Sequence, residues 1–192
     1  MTRRSAAEWV TYLLEPKNWI IATVIAVGWR ADGVAGLGWG VLAAFFAAGL
    51  PTLFITRGIA RGHWDDRNVG ARRPRLIVLA FILASITAGL VVLSVFAAPP
   101  ELTWYFGCML GSVAVLAAIT TAWKISIHCA VASGSATILS LLFGPPLTLT
   151  YLLVALTAWS RVELKDHTTA QVIGGAVLGA AAALVTYAII PR

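Results

Sequence analysis

Apolar residues in this chain come in long blocks separated by short polar segments, with little of the alternation expected of strands. A helix crosses a bilayer with ~20 mainly apolar residues. The blocks Gly33 to Ile55, Leu76 to Ala98, Leu102 to Trp123, Cys129 to Phe143, Leu147 to Trp159 and Thr168 to Ile190 therefore predict spanning helices. Pro99-Pro100-Glu101 and Gly144-Pro145-Pro146 read as breaks between neighbouring spans. Trp19 to Trp29 is shorter, and reaches spanning length only with flanking residues such as Leu13 and Leu14. The pattern predicts an all-α integral membrane helical bundle of six or seven transmembrane helices. Residues 1–192 form one membrane domain, with 1–18 as an N-terminal interfacial segment.

Composition strengthens this expectation. Hydrophobic residues make up 59% of the chain and charged residues 11%, with a mean hydropathy of +0.87. Soluble domains carry about 25% charged residues, so too few are present here to cover a water-facing surface. Cys108 and Cys129 lie in or beside apolar runs and read as buried thiols rather than a disulfide pair. The start Met1-Thr-Arg-Arg-Ser resembles a signal peptide, but no small-residue cleavage site follows before Glu15-Pro16-Lys17, so it is expected to stay in the mature chain. Trp19, Trp29, Trp104, Trp123 and Trp159 fall near span ends, as in an interfacial belt. The Gly36/Gly40 and Gly175/Gly179 pairs have the spacing that lets helices approach closely. Packing within the bundle is their expected use, with self-association into a homo-oligomer as the other.

The scarce charges are unevenly distributed. An even number of spans separates the polar segment Arg57–Arg75 from Lys124–His128, and that segment from Ser160–His167. All three are therefore expected on one membrane face. With seven crossings, twelve of the fourteen Lys and Arg share this face, leaving Arg30 and Arg192 on the other. The positive-inside rule then favours a multi-pass protein of the cell membrane with a cytoplasm-facing site.

The three segments bring candidate chemistry together. In the last, Ser160-Arg161 precede His167, and Gln171 lies one helical turn beyond it. A Gln carbonyl there accepts from the His Nδ1–H and leaves Nε2 as nucleophile or base. The middle segment adds Lys124, Ser126 and His128. The first is rich in arginine. Arg57, Arg61 and Arg75 are expected in a positive-inside loop or a lipid-headgroup patch, whereas one or two of Arg67, Arg72 and Arg73 suit a bidentate phosphate clamp. The spacing of His63, Asp65 and Asp66 is not diagnostic of a metal site, and no metal or other cofactor is expected.

Arg73-Pro74, then Ser126-x-His128, then Ser160-Arg161-x5-His167 resemble, in order, the three motifs of the type 2 phosphatidic acid phosphatase (PAP2) superfamily. Its pattern is Lys-x6-Arg-Pro, Pro-Ser-Gly-His and Ser-Arg-x5-His-x3-Asp. The resemblance covers roughly residues 60 to 185. Asp66 stands where the first motif has Lys, with Arg67 the nearest cation. Ile125 and Ile127 replace Pro and Gly of the second motif, and Gln171 replaces the final Asp of the third. The string His167-Thr-x-x-Gln171-Val-x-x-Gly175 is similar to a divergent branch of the superfamily.

The resemblance implies a membrane-integral lipid phosphate phosphatase. His167 is its nucleophile, oriented by Gln171, and forms a phosphohistidine; His128 is the acid and then the base. Arg161, Arg73, Arg67, Ser126 and Lys124 bind phosphate. The implied substrate is an isoprenyl phosphate or diphosphate, or a phosphatidate-type monoester, with membrane lipids as surroundings and no nucleic-acid partner. A non-catalytic lipid-phosphate binder or transporter with the same fold is the alternative.

Overall fold

The structure, a computed structural model, describes residues 2–64 and 72–190. Every regular element among them is helical. The order is α1 (Arg3–Leu13), α2 (Pro16–Ala44), a π turn (Phe45–Gly49), α3 (Leu50–Ala60), α4 (Arg72–Val95), α5 (Pro100–Ala122), α6 (Ile127–Phe143), a 3-10 turn (Pro145–Thr150), α7 (Tyr151–Glu163) and α8 (Thr169–Ile189). Among the described residues, four helical stretches are long and apolar enough to cross a membrane: 3–60, 74–95, 100–122 and 169–189. The apolar α6 is shorter, at 17 residues, and α7 has 13.

The stretch 3–60 is not one rod. Asp32 (φ −152°, ψ 33°) and Gly33 (φ 52°, ψ −130°) leave the helical region in the middle of α2. A Cβ on Gly40 would come within 2.8 Å of Ile25 Cα, and one on Gly36 would overlap the Gly28 carbonyl. Residues 25 and 40 would stand ~22 Å apart in a straight helix at 1.5 Å per residue. The chain therefore doubles back at Asp32-Gly33, and the glycines let the two limbs touch backbone to backbone. Gly33 supplies the positive φ that the reversal needs.

The chain divides into two compact units. The first contains residues up to Thr23 together with Lys124–Ile190. Here α6 and α8 are joined by glycine contacts. A Cβ on Gly179 would overlap the Ala130 carbonyl, one on Gly175 the Ser126 carbonyl, and one on Gly134 would meet the Gly179 carbonyl at 3.2 Å. The Gly175/Gly179 pair thus packs inside this unit. The start of α2 packs on α6 and α7, where Trp19 is buried with Ala132, Ala136 and Val154. This corrects the expectation that Trp19 belongs to an interfacial belt: small alanines on α6 leave room for its indole. Trp29, Trp104 and Trp123 are exposed.

The second unit contains Val24–Trp123. Its π turn lies just before Pro51, which cannot donate to a regular helical ladder. Ser85 of α4 donates to the Phe46 carbonyl in that turn at 2.6 Å. Phe54 and Phe81 stack with centroids 4.1 Å apart, and Trp64 covers Gly58 and donates Nε1–H to the Ile55 carbonyl at 3.0 Å. Arg30 pairs with Glu101, so the reversal in α2 and the start of α5 lie at the same end of this unit. Arg75, in the first turns of α4, is only 5% exposed. It is thus a buried arginine and no part of an exposed basic patch, as the run of neighbouring arginines had suggested.

Candidate active site

Within the first unit, the sequence around position 165 builds a compact junction. Helix α7 ends with Ser160 and Arg161 in its last turn. The Arg161 carbonyl then accepts from the backbone N–H of Asp166 (3.1 Å) and of His167 (3.2 Å), which folds the connecting loop back over the helix end. Lys165 takes a left-handed φ of 59° to close this turn. The result brings His167 back beside the arginine that precedes it by six residues.

His167 stands just before the N-cap of α8. Thr168 caps that helix by accepting from the Gln171 N–H at 3.3 Å, while Gln171 Oε1 accepts from the Thr168 N–H at 3.1 Å. These reciprocal bonds form a capping box. The same Gln171 Oε1 lies 3.2 Å from His167 Nδ1. An amide oxygen only accepts, so Nδ1 carries a proton, and in the neutral ring the lone pair is then on Nε2. Gln171 thus does two jobs with one oxygen, and both use the length of a Gln side chain. His167 is buried, at 6% exposure.

Arg161 is 2% exposed, the largest side chain in the fully buried set. A guanidinium is rarely buried unless it is paired. Its Nη2 meets Asp166 Oδ2 at 2.8 Å, and Nε and Nη1 are buried as well.

The second segment reaches the same junction through the backbone. Ser126 N–H donates to the Gln171 carbonyl at 3.2 Å, and the Ser126 carbonyl lies against Gly175. Ser126 is fully buried and is the N-cap of α6, accepting from Cys129 N–H at 3.4 Å. His128 follows in the first turn, half-buried, with Nε2 withdrawn from solvent. Lys124 is exposed on the segment leading in. The N-termini of α6 and α8 therefore converge beside a buried arginine. Both helix dipoles and the guanidinium favour negative charge there.

The profile of the PAP2 superfamily matches residues 75–192, more than half of the chain. The chain belongs to the PAP2 superfamily. This superfamily generally contains phosphatases. The matched segment includes Ser126, His128, Arg161, His167 and Gln171, and begins after Arg67 and Arg73. No curated protein and no solved structure matches the chain.

Hydrogen bonds of the junction link four of the expected residues, Ser126, Arg161, His167 and Gln171, and His128 lies two residues beyond Ser126 in the first turn of α6. Of the expected first PAP2 motif, Arg67 lies outside the described residues, as does the side chain of Arg73. Asp65 and Asp66 also lie outside them, and His63 is exposed. Among the described residues, no three His, Cys, Asp or Glu side chains gather in a metal-holding group.

Three participants were not singled out from sequence. Thr168-x-x-Gln171 is a readable capping-box pattern, which would have given Gln171 a structural role. Asp166 carried no signal beyond its nearness to Arg161. Thr11, far away in sequence, donates to Ser160 Oγ at 3.1 Å.

Proposed function

We propose that this protein is a membrane-integral lipid phosphate phosphatase that hydrolyses an isoprenyl phosphate or diphosphate, or a phosphatidate-type monoester. The observation that carries this reading is the pairing of His167 with Gln171 beside the buried Arg161. It combines a nucleophile of set tautomer with a buried cation at the meeting point of two helix N-termini.

In the proposed reaction His167 Nε2 attacks phosphorus as the bond to the lipid oxygen breaks. His128, protonated, gives its proton to the departing oxygen, so the lipid leaves as its alcohol or, from a diphosphate, as a singly protonated monophosphate. A water molecule then loses a proton to His128 and attacks the phosphohistidine. The P–N bond breaks, inorganic phosphate departs, and His167 regains its neutral form. Arg161 offers a planar fork to the equatorial oxygens, where charge is greatest in the transition state. The backbone N–H groups opening α6 and the Ser126 side chain support it. Lys124 adds a further phosphate contact in this reading. The bilayer holds the lipid tail, so selection of a membrane-soluble substrate needs no separate soluble domain. The clustering of basic residues favours a site facing the cytoplasm.

Gln171 supplies orientation without charge. A carboxylate there would also stabilise the imidazolium, so the reading implies a site in which protonated His167 receives less help from its partner. A panel of prenyl monophosphates, prenyl diphosphates and phosphatidate, presented to purified protein in detergent, tests the reading. Release of inorganic phosphate from at least one class by the wild type, and its loss in His167→Ala, is the expected result. Binding of these lipids with no His167-dependent release would instead favour a non-catalytic binding or transport protein.

A further inference from the structure

Helix α1 lies outside the segment matched by the PAP2 profile, yet it belongs to the same compact unit as the candidate site. It is a short amphipathic element. Trp9, Tyr12 and Leu13 are exposed, with the Trp9 and Tyr12 rings in edge contact, and Arg3 and Arg4 are also exposed. Ala7 and Thr11, one turn apart, are its buried residues. Such a helix suits the membrane interface, with its small inner face against protein.

The inner face bears directly on the third motif. Thr11 is 7% exposed, and Ser160 and Thr157 are fully buried. Thr11 Oγ1–H donates to Ser160 Oγ at 3.1 Å, and Ser160 Oγ–H donates to the Thr157 carbonyl at 2.8 Å. Near the other end of α1, Arg3 pairs with Glu163 at 3.5 Å. The last turn of α7 is thus gripped from outside at Ser160 and Glu163, the two positions that bracket Arg161. The Arg161 carbonyl in turn organises the loop that carries His167.

We propose that Thr11 is a positioning residue of the phosphate site: by its hydrogen bond to Ser160 it fixes the last turn of α7 and so the direction of the Arg161 guanidinium. The inference rests on the phosphatase reading for its kinetic form. Alignment of a planar fork matters most for the spread equatorial oxygens of the transition state and less for a tetrahedral phosphate. Loss of the Thr11 hydroxyl should therefore lower kcat more than it raises KM. It should also weaken orthovanadate, which adopts the five-coordinate geometry, more than inorganic phosphate.

The test uses the full chain in detergent with Thr11→Val, Thr11→Ser and, as a control on the exposed side of α1, Arg4→Ala. Thr11→Val is expected to lower kcat about 5- to 20-fold with KM changed less than about twofold, and to lower the ratio of orthovanadate to phosphate affinity by a similar factor. Thr11→Ser should recover most of both, and Arg4→Ala should match wild type. An unchanged kcat and affinity ratio in Thr11→Val, or failure of Thr11→Ser to recover them, would overturn the inference. So would a loss that merely follows the folded fraction seen by thermal unfolding. If the wild type hydrolyses no lipid phosphate, the phosphatase reading falls, and the affinity ratio alone decides the role of Thr11. A wild type that binds neither anion overturns both.

Discussion

The two compact units solve the same packing problem with the same residue type, to different ends. In the second, Gly28, Gly36 and Gly40 let the two limbs of α2 close on each other. In the first, Gly175 and Gly179 bring α8 against α6 at Ser126 and Ala130. The contact made by Gly175 is with the carbonyl of a candidate site residue. Helix packing and candidate-site geometry are therefore one feature in the first unit, whereas Gly28, Gly36 and Gly40 of the second join the two limbs of one helix. A membrane bundle gains little from apolar burial between helices, because lipid is as apolar as leucine, so close backbone approach carries much of the association. Where that approach also sets the backbone of a candidate site, a small steric change is expected to act on stability and chemistry together.

The two units are expected to differ most at their arginines. Arg161→Lys keeps the charge in the first unit but removes the fork, and is expected to lower kcat/KM by about 10²-fold. Arg57→Lys, on an exposed end of α3 in the second unit, is expected to leave it unchanged; steady-state phosphate release measures both. Equal losses would dissolve the distinction.

Next come the glycines. Gly175→Ala and Gly36→Ala both force a Cβ into a backbone carbonyl, each costing about 1–3 kcal/mol by overpacking, read as a fall in Tm. Only Gly175→Ala should also reduce the activity of the protein that remains folded, because it displaces Ser126. Activity per folded molecule, followed below both transitions, separates the cases.

The smallest effect is expected at Gln171. Gln171→Glu preserves the length needed for both the capping box and the His167 contact but adds a negative charge. A carboxylate favours protonated His167, and the nucleophile must be neutral. The acid limb of the pH–rate profile should therefore move to higher pH, with a change of about tenfold or less in the plateau rate. A profile that does not move would separate His167 from Gln171 in function.

Much of the site was legible because its signals are local. Arg161, His167 and Gln171 lie within a few turns of one another in sequence, and their spacing encodes their contact. Ser126 and His128 were brought to the same end by counting spans, which needs only the apolar blocks. What was not legible depends on contacts distant in sequence. Trp19 reads as a belt residue until Ala132 and Ala136 are known to face it. Arg75 resembles its neighbouring arginines in sequence, and only the fold shows it buried. The link from Thr11 to Ser160 joins residues 149 positions apart, with no pattern to announce it. Helix limits also shifted where backbone chemistry intervened. The block expected to span from Leu147 instead begins inside a 3-10 turn that opens at Pro145-Pro146, and α7 starts at Tyr151.

In the proposed reaction His167 carries the phosphoryl group, and the acid and alkali stability of the adduct identifies it. Purified protein is mixed with a prenyl phosphate labelled at phosphorus, quenched in alkali within the first turnover, and digested to locate the label. The expected result is an alkali-stable, acid-labile phosphoramidate on the peptide containing His167, absent from His167→Ala and accumulating in His128→Ala, where hydrolysis of the intermediate is slowed. Phosphate release at full rate from His167→Ala, or label on any other residue, would contradict it.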